Sequence, residues 1–83
     1  METLSARQER LLGLIVREYV EVPRKSGVSS KRLVEKYGLD WSSATVRNEM
    51  AALTRAGMLC QPYTSAGRIP TEAGYRYFVR RLV

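Results

Sequence analysis

The run from Ser42 to Gly57 constrains the fold more than any other stretch, because its pattern demands a helix with two different long faces. Val46, Met50 and Leu53 recur at i, i+4 and i+7, the spacing of a stripe packed on a core. Half a turn away lie Ala44, Asn48, Ala51 and Arg55, flanked by Arg47 and Thr45. The alanines let this face approach another surface closely, and Asn, Arg and Thr can hydrogen-bond base edges or phosphates. Ser42 or Ser43 is placed to cap the helix, and Gly57 to end it in a left-handed conformation.

The preceding chain reads as two further helices. Ser5 followed by Gln8 fits a capping box, after which Leu11, Leu12, Ile15, Val16 and Tyr19 make a core stripe, so a helix is expected over 5–20. Its charged residues, Arg7, Glu9, Arg10, Arg17 and Glu18, are read as a solvated face. Pro23 and Gly27 break this helix in a loop that also carries Arg24 and Lys25. Val28 fits a single short strand before the second helix, expected over 30–37. There Leu33, Val34 and Tyr37 face inward, and Lys31, Arg32, Glu35 and Lys36 face out. Gly38 ends it, and Leu39-Asp40-Trp41 leads into the third helix (43–56), with Trp41 read as a plug in the turn. Two helices joined by such a turn, the second amphipathic and cationic, match a helix-turn-helix.

After Gly57 the helical period stops. Met58 to Gln61 reads as a strand, Tyr63 to Arg68 as a turn, and Ile69 as the start of a return strand. A hairpin over 58–70 directly after such a helix is a wing. Thr64, Ser65 and Arg68 are its polar candidates, with Arg68 expected at the tip, poised for a minor groove or a phosphate. Thr71 opens a last helix over 72–82, whose stripe Tyr75, Phe78, Val79 and Leu82 is expected to dock on the first. The expected fold class is therefore mainly α with a small β-hairpin: one winged helix-turn-helix domain over 1–83, with four helices and a two- or three-stranded wing.

Composition narrows the function. Fourteen Lys and Arg against eight Asp and Glu give a net charge of +6, which favours a polyanionic partner. Residues 1–40 carry eight basic and six acidic side chains, whereas 41–83 carry six and two, so the excess falls on the third helix, the hairpin and the last helix. With one cysteine and no histidine there is neither a disulfide framework nor a metal-ligand cluster, and no carboxylate pair suggests an enzyme. No cofactor is expected. Cys60 reads as a small hydrophobe in a strand. No apolar run approaches the ~20 residues of a membrane span, and the expected location is the cytoplasm.

Three segments carry a family resemblance: Ser42 to Met50, Gln61 to Glu72, and Gly74-Tyr75-Arg76. With Leu4 to Gln8 and Glu35 to Leu39, they resemble the N-terminal domain of the bacterial heat-inducible transcription repressor HrcA. Tyr63 stands where that family usually has His, and the loop from Val22 to Gly27 is longer than the family's. The resemblance implies a winged-helix repressor of chaperone genes, acting at the nucleoid on an inverted-repeat operator in double-stranded DNA and binding it as a homodimer. It also implies a larger region beyond these residues that dimerises and responds to a chaperone co-regulator. The chain is read as an excised or independently encoded DNA-binding domain.

The expected DNA-binding residues are Ser42, Ser43, Ala44, Thr45, Arg47, Asn48, Arg55, Thr64, Ser65 and Arg68. Asn48 and Arg47 are the candidate base readers, Ser43, Thr45 and Arg55 the candidate phosphate contacts, and Arg68 the contribution of the wing. The competing reading is a winged-helix module for protein contacts, in which the arginines only solvate the surface.

Overall fold

Ser5 and Gln8 close the first turn of helix α1 (Ala6–Glu21) by exchanging hydrogen bonds. The Ser5 amide donates to Gln8 Oε1 and the Gln8 amide to Ser5 Oγ, each at 3.1 Å. The computed structural model in which this is seen describes residues 4–21, 27–61 and 67–82, with only the backbone of Leu82. The loop cations Arg24 and Lys25, the hairpin residues Thr64 and Ser65, and the expected docking of Leu82 lie outside the described residues. Helix α2 (Ser30–Tyr37) is capped by Ser29, whose Oγ accepts from the Arg32 amide at 3.2 Å. Helix α3 (Ser43–Arg55) is capped by Ser42, which accepts from the Thr45 amide at 3.1 Å. Gly38, with φ 57°, supplies the left-handed residue that turns the chain from α2 towards α3.

Strands β1 (Leu59–Cys60) and β2 (Ile69–Pro70) pair antiparallel, Leu59 opposite Pro70 and Cys60 opposite Ile69. Val28 adds a third rung: its amide donates to the Arg68 carbonyl at 2.8 Å and its carbonyl accepts from the Arg68 amide at 2.9 Å. The hairpin is thereby fastened to the residue just before the α2 cap. The expected class, mainly α with a small hairpin in a winged helix-turn-helix, is the one observed.

One core serves all of these elements. Leu11, Leu12 and Ile15 of α1, Leu33 of α2, Val46 and Leu53 of α3 and the loop residue Val28 are each 0% exposed. Tyr37, Trp41, Tyr75, Tyr77 and Phe78 pack around this centre half-buried.

Helix α4 (Glu72–Tyr77) begins at Thr71, whose Oγ1 accepts from the Gly74 amide at 3.1 Å and donates to the Gly57 carbonyl at 2.6 Å. The backbone of α4 lies so close to β1 that a Cβ on Gly74 would stand 2.2 Å from the Met58 carbonyl oxygen. Only glycine allows that approach. Beyond Tyr77 the helix widens into a π-helical turn (Phe78–Leu82). This corrects the expectation of a uniform helix with Val79 in its docking stripe. The wider turn carries Val79 outward, 62% exposed, while Tyr77 reaches α1 and donates from its hydroxyl to Glu9.

Glu18 is the larger correction. Read as a solvated charge, it is 0% exposed, because it continues the core spacing of Leu11 and Ile15 beneath α2. Its carboxylate accepts from Lys36 Nζ at 2.6 Å, Arg32 Nε at 2.7 Å and the Tyr37 hydroxyl at 3.3 Å. Arg32 and Lys36, expected to face out, thus bend over the carboxylate and keep their outer edges in water. The hydrogen bond from Lys36, together with that from Arg32, outweighs desolvation and lowers the Glu18 pKa from 4.5 to about 2.

Because the folded pKa of Glu18 lies below its unfolded value, its contribution is complete above pH 4.5 and lost as pH falls towards 2. Glu18→Gln should therefore cost about 2–3 kcal/mol in urea unfolding at pH 7. That difference should shrink on acidification over this interval; a difference independent of pH would contradict the clamp. Gly74→Ala adds about 1 kcal/mol of helix propensity, yet should destabilise the domain by about 2–3 kcal/mol through the clash with Met58. An unchanged or raised denaturation midpoint would contradict the close approach of α4 to β1.

Candidate nucleic-acid interface

The core stripe of α3 dictates what the helix shows outside. With Val46, Met50 and Leu53 buried, Ala44, Asn48 and Arg55 are exposed and Ala51 is half-buried on the opposite arc. Ser42, Ser43 and Arg47 are exposed as well, and Thr45 is half-buried. Ser42 is committed to its own helix, since its Oγ also donates to Thr45 Oγ1 at 3.0 Å. That engages both hydroxyls in the cap, which leaves Asn48, Arg47 and Arg55 as the long polar side chains on the face.

The wing flank of α3 forms one wall of a cleft. Ser43, Arg47 and Met50 line it from α3, Ser29, Ser30 and Lys31 from the start of α2, and Arg68 from the residue just before β2. Three cations from three elements converge there, and among the described residues no acidic side chain lines the cleft. Such a concavity focuses positive potential and suits a phosphate-bearing strand. Lys31, Ser29 and Ser30 were not among the residues expected to act together with α3. The available signal was their place: the cap and first two residues of α2, directly after the single-residue strand at Val28.

Arg68 is not at the hairpin tip. Its backbone pairs with Val28 immediately before the return strand, and its half-buried side chain lies against α3. Arg68 Nε donates to Thr54 Oγ1 at 3.3 Å, and Thr54 Oγ1 donates to the Met50 carbonyl at 2.8 Å. The pairing of residue 68 with Val28, invisible in local composition, draws the arginine inward. It latches the hairpin to α3 while keeping its charge at the cleft wall.

The acid carried by α3 is turned away from this surface. Glu49 accepts from Arg7 Nη1 at 3.3 Å and from Gln8 Nε2 at 3.2 Å. Arg7 and Arg10 lie 5.7 and 5.6 Å from the centre of the Trp41 ring, which sits half-buried in the turn between α2 and α3. Arg7 and Arg10 are thereby held beside the far flank of α3, and the exposed arc and the cleft keep a net positive charge. At the other end of the arc, Arg55 borders a shallow depression with Leu4, Gln8, Ala52 and Ala56.

Of the expected site residues, the structure brings Ser43, Arg47 and Arg68 into one cleft and sets Ala44, Asn48 and Arg55 along the adjoining arc. Among the described residues no group of three or more His, Cys, Asp or Glu is arranged to hold a metal ion. No described helix is long and apolar enough to cross a membrane. Cys60 is half-buried in β1.

No family model matches the chain. It is, however, 52% identical over 80 residues to the heat-inducible transcription repressor HrcA of Synechococcus elongatus, a match covering 96% of this chain and 22% of that protein. The same-named proteins of Chloroflexus aurantiacus (51% over 80 residues, 96% of this chain, 21% of theirs) and Mycobacteroides abscessus (50% over 82 residues, 99% and 24%) are similar to it as well. The chain thus spans about a fifth to a quarter of the length of these curated relatives. They are named as transcription repressors, not as enzymes. A crystal structure of a hypothetical protein at 2.2 Å resolution superposes with a TM-score of 0.86 at 46% identity, covering 95% of this chain and 25% of that one.

Proposed function

We propose that this chain, which is homologous to the N-terminal domain of the HrcA heat-inducible transcription repressors, binds double-stranded DNA with α3 in the major groove. The observation that carries the reading is the cleft of Lys31, Arg47 and Arg68, which no acidic side chain among the described residues lines, beside the arc of Ala44, Asn48 and Ala51. The small residues on either side of Asn48 let the helix axis come close to base edges, where an Asn side chain pairs bidentately with adenine. Arg47 shares the cleft with two other cations, which favours the phosphate backbone for it, together with Lys31 and Arg68. Ser43 and Arg55 fix the register from the two ends of the arc, and Thr64 and Ser65 extend the contact from the hairpin loop.

A single domain of this kind covers about 600–1,000 Å² of protein surface, too little for tight binding by one copy. Two copies on an inverted repeat supply the missing affinity, and occupancy of that operator blocks transcription. Heat or chaperone control belongs, in this reading, to the additional length that the relatives carry.

The test is anisotropy of the chain with an inverted-repeat duplex and a scrambled one across a salt series. With four cations at phosphates, log affinity should fall against log salt with a slope of about −4. Lys31→Ala should weaken both duplexes alike and flatten that slope by about 1. Asn48→Ala should leave the slope unchanged and cost about 1–3 kcal/mol of preference for the repeat. Loss of binding to a protein partner with DNA binding intact in both variants would favour the protein-contact reading.

A further inference from the structure

A second surface, on the side of α1 turned away from the core, takes no part in the proposed DNA contact. Between α1 and the C-terminal π-helical turn runs a shallow groove lined by Ala6, Arg10, Gly13, Leu14, Arg17 and Phe78. Leu14 and Phe78 are half-buried there, and Val20 of α1 and Val79 of the π-helical turn are 60% and 62% exposed. Gly13, in mid-helix where alanine would favour the helix, is half-buried in the lining of the groove. Glu9 also borders the groove, but its carboxylate accepts from the Tyr77 hydroxyl. Among the described residues no acidic side chain pairs with Arg10 or Arg17, and Arg10 instead stands over Trp41.

We infer that this groove docks an acidic amphipathic helix of a partner protein. Apolar residues of that helix lie on Leu14, Gly13 and Phe78, and its flanking carboxylates pair with Arg10 and Arg17. Charge selects the occupant. A second copy of this chain would oppose Arg10 and Arg17 with their own equivalents across a two-fold contact, at a net charge of +6 per copy. Duplex DNA would satisfy the arginines but leave Leu14, Phe78 and Val79 against a hydrated backbone. An acidic helix with one apolar stripe satisfies both the walls and the floor. The surface is separate from α3 and the cleft, so it can be occupied while DNA is bound.

The probe is a designed peptide of about 20 residues, long enough to hold a helix in water, with leucines at i, i+3, i+4 and i+7 and glutamates on both flanks. A control peptide carries lysines in place of the glutamates. Titrated into the isotopically labelled chain, the acidic peptide should shift amide signals of the outer α1 face and of Phe78 and Val79. Arg17→Glu should weaken it about tenfold and admit the lysine peptide instead, with DNA affinity unchanged. Leu14→Gln, which keeps the charges, should also weaken it. Shifts centred on Lys31, Arg47 and Arg68 would overturn the inference, showing that the peptide merely imitates DNA. Absence of shifts at millimolar peptide, or indifference to Arg17→Glu, would overturn it equally.

Discussion

Burial of one stripe of α3 is the constraint on which the rest of the molecule depends. Val46, Met50 and Leu53 are 0–3% exposed, and they meet Leu11, Leu12 and Ile15 of α1 and Leu33 of α2 in a single small core. Among the described residues the buried hydrophobics form this one cluster, so the packing of α3 has little to fall back on. The rotation of α3 about its own axis is therefore fixed, and the arc carrying Ala44, Asn48, Ala51 and Arg55 has to face outward. Arg47 and Thr54, on the flank between core and solvent, are turned towards the hairpin and α2, which is what makes a cleft possible.

The second organising feature is how the charges are sorted. Glu18 takes Arg32 and Lys36 out of play along the outer side of α2, and Glu49 is held by Arg7 and Gln8 on the α1 flank of α3. Lys31, Arg47 and Arg68 are left together in a concavity that no described acid lines. A basic protein with randomly scattered ion pairs would attract any polyanion weakly from all sides. Here the pairing of acids elsewhere concentrates the field where α2, α3 and the hairpin meet.

Local signals made much of the fold legible. The capping box at Ser5 and Gln8, the Ser42 and Thr71 caps, the left-handed Gly38 and the loss of helical period after Gly57 each act within a few residues of chain, so sequence displays them directly. What was not legible depends on contacts between distant segments. Glu18 occupies a core position because α2 folds over it with three donors, and the only hint was its spacing from Leu11 and Ile15. The inward turn of Arg68 comes from a backbone pairing with Val28, far back in the chain. Val79 points outward because the last turn is π-helical, which the aromatic-rich pattern around it does not announce. Of the candidate site, the exposed arc of α3 was readable from periodicity, whereas the cleft was not, since its walls come from three separate places in the chain.

The central claim is that this arc and this cleft form a single DNA-facing surface. Its most direct test is to monitor the backbone amide and arginine Nε signals of the chain on adding an inverted-repeat duplex. The account predicts changes concentrated on Lys31, Arg47, Asn48, Arg55 and Arg68, with Arg10 and Arg17 undisturbed. Changes centred on α1 and the π-helical turn, with the signals of Arg47 and Asn48 unmoved, would contradict it.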